Sequence, residues 1–239
     1  MFTQRLSLSN QDARTTSSTQ LHKLGSVAET SDGRVFRYAS AGAVNLAAGK
    51  VNTPAAKVTD HTNMAVATAA AVGDRSVNVT LGATATTLGQ YDGGYLVIND
   101  SAGVGCAYLV AGTPVIALST SGRIQLAEGV ATALTTSSKA SLQPPIYGNA
   151  VVSAAAAALF VNGTNNVAAT ATYFYWSQTG GIASVLSDGV IGKGSDAIVS
   201  ASVNGALVVE GTSAVTQRVG VAPEATVDAK YYPVFLTLE

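Results

Sequence analysis

The sequence predicts a mainly β protein, built from small β-barrel or β-sandwich domains with an extended N-terminal arm. Gly, Ala, Ser, Thr and Val dominate the 239 residues, whereas helix formers such as Glu, Lys, Gln and Met are scarce. Thr and Val suit the pleated surface of a strand, and the 24 glycines suit turns and bulges. Strand-like runs also recur at intervals of roughly 8–12 residues with Gly-containing turns between them, which is typical of small barrels and sandwiches.

The first 24 residues are polar, rich in Ser, Thr and Gln, and without clear periodicity. We predict that residues 1–24 form an arm with little hydrophobic core of its own. Two interpretations stay open, a frayed terminus and a segment that becomes ordered only on a partner. The same residues lack the apolar stretch of a secretory signal.

Residues 25–59 are predicted to form a hairpin and a connector. The dipeptide Asp32-Gly33 is a tight-turn signal, and the mixed apolar and charged run Val35–Tyr38 that follows it is a candidate strand. Beyond it, residues 41–57 are rich in Gly, Ala and Pro, which is typical of a connector.

A first β domain is predicted over residues 60–143. Its clearest strand is Ser76–Leu81, which alternates polar and apolar residues with the period of a half-buried strand. The turn dipeptides and Gly-rich stretches around it separate four further candidate strands: Tyr95–Ile98, Cys106–Val110, Val115–Leu118 and Arg123–Leu126.

A domain boundary is predicted at Pro144-Pro145, because adjacent prolines stop ladder pairing and stiffen the chain. The second β domain is predicted over residues 149–239. Asn204-Gly205 is the strongest hairpin signal in the chain. The candidate strands of this domain are Val167–Ser177, Gly181–Leu186, Val190-Ile191, Ala197–Val203, Ala206–Val209, Thr216–Val221 and Tyr231–Leu238.

Two Ala-rich runs are ambiguous. Ala65–Val72 and Ser153–Ala158 can be short helices, because Ala is the best helix former, or extended segments packed closely against a neighbour. Neither run has a charged face or a strong cap, so the sequence leaves both readings open.

The composition excludes several classes of function. The net charge of −1 gives no basic field for nucleic acid or anionic lipid, and no stretch of 18 apolar residues could span a membrane. One cysteine and two histidines leave little for metal or imidazole chemistry. No nucleotide-binding, hydrolase or metalloprotease motif is present. We therefore predict no enzyme, no catalytic residue, no metal and no cofactor.

Two weaker signals point the other way. Asp60 and His61 could act together as a general base for a hydroxyl nucleophile, but that geometry needs residues distant in the sequence to meet. His61 is predicted instead to anchor a turn. Turn aspartates such as Asp92 and Asp100 could contribute to a Ca²⁺ site.

Only 11% of the residues are charged, against about 25% in ordinary soluble proteins. A free monomer of this size exposes roughly 10,000 Å², so its charges would be sparse. Charge normally keeps soluble proteins apart. We therefore expect much of the surface to be covered by assembly.

The candidate contact residues are arginines of the arm and first strand, and aromatic residues. Arg beside aromatic residues is enriched at interfaces, although a strand carrying two arginines also fits a solvated face. A run of adjacent aromatics on a strand cannot point to one side only, so at least one is expected to face outward. The set predicted to contact a capsid or another subunit is Arg5, Arg14, Arg34, Phe36, Arg37, Tyr38, Tyr173, Tyr175 and Trp176.

Several phrases, in order along nearly the whole chain, resemble the capsid decoration (cement) proteins of tailed bacteriophages. They are Lys23-Leu24-Gly25, DGRVFRYA at 32–39, AGA at 41–43, HTN at 61–63, GGYLVIND at 93–100, ALTTSSK at 133–139, WSQTG at 176–180, VLSDG at 185–189, VGV at 219–221 and PVFLTL at 233–238.

The resemblance implies a structural virion protein, made in the host cytoplasm and bound to the outer surface of the head. Its implied partners are the major capsid protein and further copies of itself in a homotrimer, with no nucleic acid and no membrane. The family has no catalytic motif to transfer to this chain. A binding module of a different class, a head fibre or adhesin that recognises host surface glycans, is the alternative; there the outward aromatics would form a sugar platform.

Overall fold

The computed structural model describes residues 5–155, 160–211 and 217–239. They form strands and two 3₁₀ turns (Asp12–Arg14 and Thr59–His61), without an α-helix. No helix in these ranges is long and apolar enough to cross a membrane. The strands are β1 Leu6–Leu8, β2 Val27–Thr30, β3 Val35–Ser40, β4 Val51–Thr53, β5 Met64–Ala65, β6 Ser76–Thr80, β7 Tyr95–Asp100, β8 Ala107–Gly112, β9 Ser121–Leu126, β10 Lys139–Gln143, β11 Val151–Val152, β12 Gly163–Asn165, β13 Phe174–Leu186, β14 Asp196–Val199, β15 Leu207–Val209, β16 Arg218–Val221 and β17 Tyr231–Thr237.

The chain divides into two compact units. Unit 1 combines residues 1–55 with 146–239, and unit 2 is the intervening segment 56–145. The predicted first domain, 60–143, lies within unit 2. The segments predicted separately as an arm (1–24), a hairpin and connector (25–59, apart from its last four residues) and a second domain (149–239) all belong to unit 1.

Unit 2 is a nearly closed, barrel-like sheet of six strands in the order β5-β10-β7-β8-β9-β6. A bridge between Val66 and Val79 brings the chain after β5 against β6, so the first and last strands of the sheet meet. Alternate strand residues point inward, as in Val77 and Val79 of β6. The interior is apolar, and Leu96, Ile124 and Leu142 are completely buried there.

Unit 1 is built on a sheet of 11 strands whose main path is β1-β2-β3-β13-β17-β16-β14-β15. Its centre is β13, a strand of 13 residues. The first half of β13 pairs with β3 and the second half with β17, both antiparallel. The register shifts between Gln178 and Gly180, and Gly181 has φ of +78°, which glycine adopts without strain. This bulge separates the two halves.

The two faces of β13 lie in different surroundings. Tyr175 packs with Ala39, Leu46 and neighbouring residues on one face. Trp176 packs on the other face, where the N-terminal segment covers it with Leu8 and Ala13. The predicted arm is therefore extended in β1, which pairs in parallel with β2, but it contributes to the core of unit 1.

Most predicted strands exist, with some differences. Val115–Leu118 and Val190-Ile191 are not strands, and most of Val167–Tyr173 precedes β13 as loop. The predicted strands ending at Ser177 and starting at Gly181 are parts of the single strand β13. Ala65–Val72 is not a helix; it has bridges at Val66 and Ala70 with a bend between them. Residues 156–158 of the other Ala-rich run, and Thr216 of a predicted strand, lie outside the described residues.

Candidate functional site

An aromatic cluster connects β3, β13 and the N-terminal segment of unit 1. The register places Tyr38 directly opposite Trp176, with their ring centroids 5.0 Å apart. The ring of Phe174 stacks parallel to that of Tyr38 at 5.9 Å, and His22 lies edge-on to Tyr38 at 5.1 Å. The Tyr38 hydroxyl accepts the backbone N–H of Leu21 at 3.0 Å. These contacts attach the N-terminal segment to the sheet.

A cleft of about 270 Å³ opens beside this cluster. Leu6 and Leu21 at its rim are 39% and 67% exposed, so the apolar interior is accessible from solvent. We call it the aromatic cleft; its lining residues are Leu6, Ser7, Leu8, Asp12, Thr15, Thr16, Ser17, Leu21, His22, Tyr38, Phe174 and Trp176. A cleft of this size and character can accept one apolar side chain of a partner.

The arginines of β3 and the turn before it are held by ion pairs within unit 1. Arg37 donates from Nε and Nη2 to the two carboxylate oxygens of Glu239, both at 2.8 Å. This hydrogen bonding holds the pKa of Glu239 below its usual range. Arg34 donates to Asp32 and holds the pKa of that carboxyl at about 2, with Thr30 adding a second hydrogen bond.

The remaining predicted arginines lie in the N-terminal segment. Arg5 is exposed and pairs with Glu29 at 2.8 Å. Arg14 is exposed and forms no ion pair with the part of the chain that the structure describes. It lines a second cleft of about 450 Å³, together with Arg34, Gln178, Ile182 and Tyr231.

Four of the predicted contact residues are core residues. Phe36 and Tyr175 are fully buried, and Tyr38 and Trp176 are 2% and 6% exposed. Alternation along β13 sends Tyr175 and Trp176 to opposite faces, as expected, but both faces are covered at this point of the sheet. These four side chains therefore offer little surface to a partner. Of the predicted aromatics, only Tyr173 is half-buried.

An exposed apolar sheet face on the second half of β13 was missed by the sequence analysis. Ile182 is paired with Phe235 and Leu186 with Tyr231, and paired residues share a face of the sheet. Ile182, Phe235 and Tyr231 are 46%, 49% and 51% exposed. We call Ile182, Ser184, Leu186, Tyr231, Pro233 and Phe235 the β13–β17 face; it carries no charged side chain. The sequence did contain a signal for this face. In the predicted strand Tyr231–Leu238, apolar residues occupy both the odd and the even positions, so both sides of the strand are apolar.

In unit 2, the residues weighed for catalysis or metal binding are held in structural contacts. His61 is buried and hydrogen-bonded at both ring nitrogens. The carboxylate of Asp60 accepts the hydroxyl of Thr84, and that of Asp92 accepts the N–H of Thr113. Asp100 accepts the N–H of Ser101. Within the described ranges, no three His, Cys, Asp or Glu side chains form a group that could hold a metal ion.

In comparisons with known proteins, no family model, no curated protein and no solved structure matches this chain.

Proposed function

We propose that this protein is a structural virion protein that binds the outside of a phage head and stabilises the lattice by bridging capsid subunits. The role on the head rests on the resemblance of the sequence to capsid decoration proteins, and the assembly of several copies rests on one structural observation. That observation is the β13–β17 face, where three large apolar side chains are about half exposed and none of the six residues is charged.

Exposed apolar patches of this kind mark surfaces that bind other proteins. A broad sheet face with alternating apolar residues fits another protein surface, and the cleft of about 450 Å³ that Ile182, Ser184 and Tyr231 help to line could receive a side chain of that protein. Its lack of charge also favours burial, since a charged group in an interface is costly unless it is paired. A protein with 11% charged residues can cover much of its surface in this way.

Two contacts are part of the proposal: one with the major capsid protein and one with further copies of the chain in a homotrimer. We assign the β13–β17 face to the contact between copies. Interfaces that are permanently buried are the more apolar ones, whereas a surface that stays in water until it meets the head should be more polar. The aromatic cleft and the exposed arginines Arg5 and Arg14 then remain for the capsid.

The test is binding to purified heads of the encoding phage that lack this protein. The chain should cosediment with the heads, and cryo-electron microscopy should show it at repeated lattice positions on the outer surface. Failure to bind heads, or density confined to the tail or one vertex, would contradict the proposal.

The contact between copies is tested separately, by light scattering after size exclusion. Phe235→Asp should convert the oligomer to a monomer, because a buried unpaired carboxylate is strongly unfavourable. Phe160→Asp is the matched control, since Phe160 is 53% exposed and its neighbour Val161 packs into the core on the other side of the sheet. A wild-type monomer, or equal effects of both substitutions, would refute this assignment.

The glycan-binding alternative predicted a sugar platform from outward aromatics. The burial of Tyr175 and Trp176 removes two of its members, and Tyr173 is only partly exposed. A protein of that kind would occur in few copies at vertices or on the tail, so the microscopy described above also distinguishes it.

A further inference from the structure

We propose that unit 2 carries a binding site for a carboxylate, in a cavity between Arg75 and Arg123. The cavity has a volume of about 290 Å³. Its lining residues are Thr68, Ala69, Ala70, Asp74, Arg75, Ser76, Asn78 and Arg123. The proposal does not depend on the proposed function, because it concerns a carboxylate ligand and unit 2 alone.

The strand pairing explains how these side chains converge. Asn78 of β6 lies directly opposite Arg123 of β9, so both point to the outer face of the barrel. Ser76 is two residues before Asn78 and therefore shares this face. Arg75 immediately precedes β6, where its carbonyl oxygen accepts the N–H of Leu126 at 2.9 Å. The two guanidinium groups thus belong to neighbouring parts of the same sheet.

The charges of the cavity are not balanced. In the described parts of the chain, ion pairs hold four arginines, Arg5, Arg34, Arg37 and Arg218. Arg75 and Arg123 have no such partner there. Two cations without ion-pair partners at one cavity repel each other, and both arginines are exposed, so a soluble anion can reach them. An anion in the cavity would remove this repulsion.

The lining selects the chemistry of the anion. Guanidinium groups match the planar, two-oxygen geometry of a carboxylate, and Ser76 and Asn78 add neutral donors. Asp74 contributes one negative charge, while its Oδ2 accepts the N–H of Ala71 at 2.8 Å. The cavity therefore has a net charge of one positive unit, which suits a monoanion. A doubly charged phosphate would be repelled by Asp74.

The experiment is a titration of the full chain with sodium acetate, followed by ¹H–¹⁵N NMR, with sodium chloride at matched ionic strength as reference. We expect saturable shifts of the Asn78 and Arg123 amides with acetate only. Arg75→Gln and Arg123→Gln should each weaken binding about tenfold, since a charge-assisted hydrogen bond is lost. Arg14→Gln in unit 1 is the control and should leave the affinity unchanged. The spectra also report whether each variant is folded.

Asp74→Asn gives a second, opposite prediction. It keeps an oxygen that can accept from Ala71 but removes the negative charge, so acetate should bind more tightly and phosphate should begin to bind. Shifts identical in acetate and chloride, phosphate binding the wild type as well as acetate does, or an equal loss in the Arg14 variant would each overturn the proposal.

Two sources of carboxylate are then distinguished with the same method. A short uncharged peptide with one central glutamate represents an acidic side chain of a partner protein, and glucuronate represents an acidic sugar. Tighter binding of the peptide identifies a protein partner, and tighter binding of glucuronate identifies a glycan. Binding of neither, with acetate also inactive, refutes the site.

Discussion

The imidazole Nδ1 of His61 lies 2.6 Å from the hydroxyl oxygen of Tyr91, in the interior of unit 2. Its Nε2 lies 2.9 Å from the carbonyl oxygen of Thr84. A carbonyl oxygen only accepts, so Nε2 carries the proton and Nδ1 accepts the Tyr91 hydroxyl. Burial raises the pKa of Tyr91 to about 12, so the phenol keeps its proton. His61 is thus a structural residue at a 3₁₀ turn, as the sequence analysis predicted.

Tyr91→Phe should destabilise unit 2 by about 1–3 kcal/mol, because Nδ1 of buried His61 then has no donor. Urea unfolding followed by circular dichroism measures the change. Tyr95→Phe is the control, since Tyr95 is 45% exposed, and it should change the stability by less than about 0.5 kcal/mol. Equal effects of the two substitutions would show that the Tyr91 hydroxyl does not contribute.

The ion pair of Arg37 and Glu239 should make unit 1 less stable in acid. The folded-state pKa of Glu239 is lower than its ordinary value of 4.5. Its stabilisation is therefore complete above about pH 4.5 and is lost as the pH falls through the lower, folded-state pKa. Glu239→Gln should lower the free energy of unfolding by up to about 1 kcal/mol at pH 7. It should have no effect at a pH below the folded-state pKa of Glu239.

The fluorescence of Trp176 measures this effect, because it is the only Trp in the chain and lies in unit 1. Glu224→Gln serves as the control, since Glu224 is exposed and has no ion pair in the described ranges. The prediction would be contradicted if the Glu239→Gln variant had the same free energy of unfolding as the wild type at pH 7.

The N-terminal segment should contribute to the stability of unit 1. Leu8 is 8% exposed and packs in the same cluster as Phe36, Tyr38 and Trp176. Leu8→Ala should lower the free energy of unfolding by about 2 kcal/mol and shift Trp176 emission to longer wavelength. Leu6→Ala in the same strand should cost less, since Leu6 is 39% exposed. If removal of residues 1–24 left stability and emission unchanged, the segment would be a dispensable arm.

Gly220 should not tolerate a side chain. A Cβ at this position would overlap the carbonyl oxygen of Phe235 and lie 2.9 Å from its carbonyl carbon, on the neighbouring strand. Gly220→Ala should therefore cost about 1–3 kcal/mol, because β16 and β17 must separate. At Gly192, by contrast, a Cβ would meet only the side chain of Ser195, at 3.2 Å. Thermal unfolding should show a large loss for the first variant and a small change for the second.

Local patterns predicted the strands that are long or alternating. Ser76–Leu81 became β6, and the Asn204-Gly205 signal lies in the turn between the paired strands β14 and β15. Short strands such as β4 and β12 were missed, since three residues show no period and their pairing depends on distant segments. The predicted strand Val115–Leu118 was wrong, because apolar residues also occur in loops. Val115 and Leu118 lie in such a loop and are exposed.

The candidate surfaces could not be predicted, because burial depends on which segment covers each sheet face. The same strand, β13, is covered at Trp176 by the N-terminal segment and uncovered at Ile182. Nothing in the local sequence distinguishes the two halves. Likewise, Arg75 and Arg123 are distant in sequence and meet only through the pairing of β6 with β9.

The points where unit 2 leaves and rejoins unit 1 are neighbours in the sheet, because Thr53 of β4 pairs with Val151 of β11. Closely spaced ends are the arrangement that tolerates insertion and exchange of a domain. Unit 2 is thus an inserted domain. A short Gly/Ser linker could replace it in unit 1, and a different domain could be inserted at the same point.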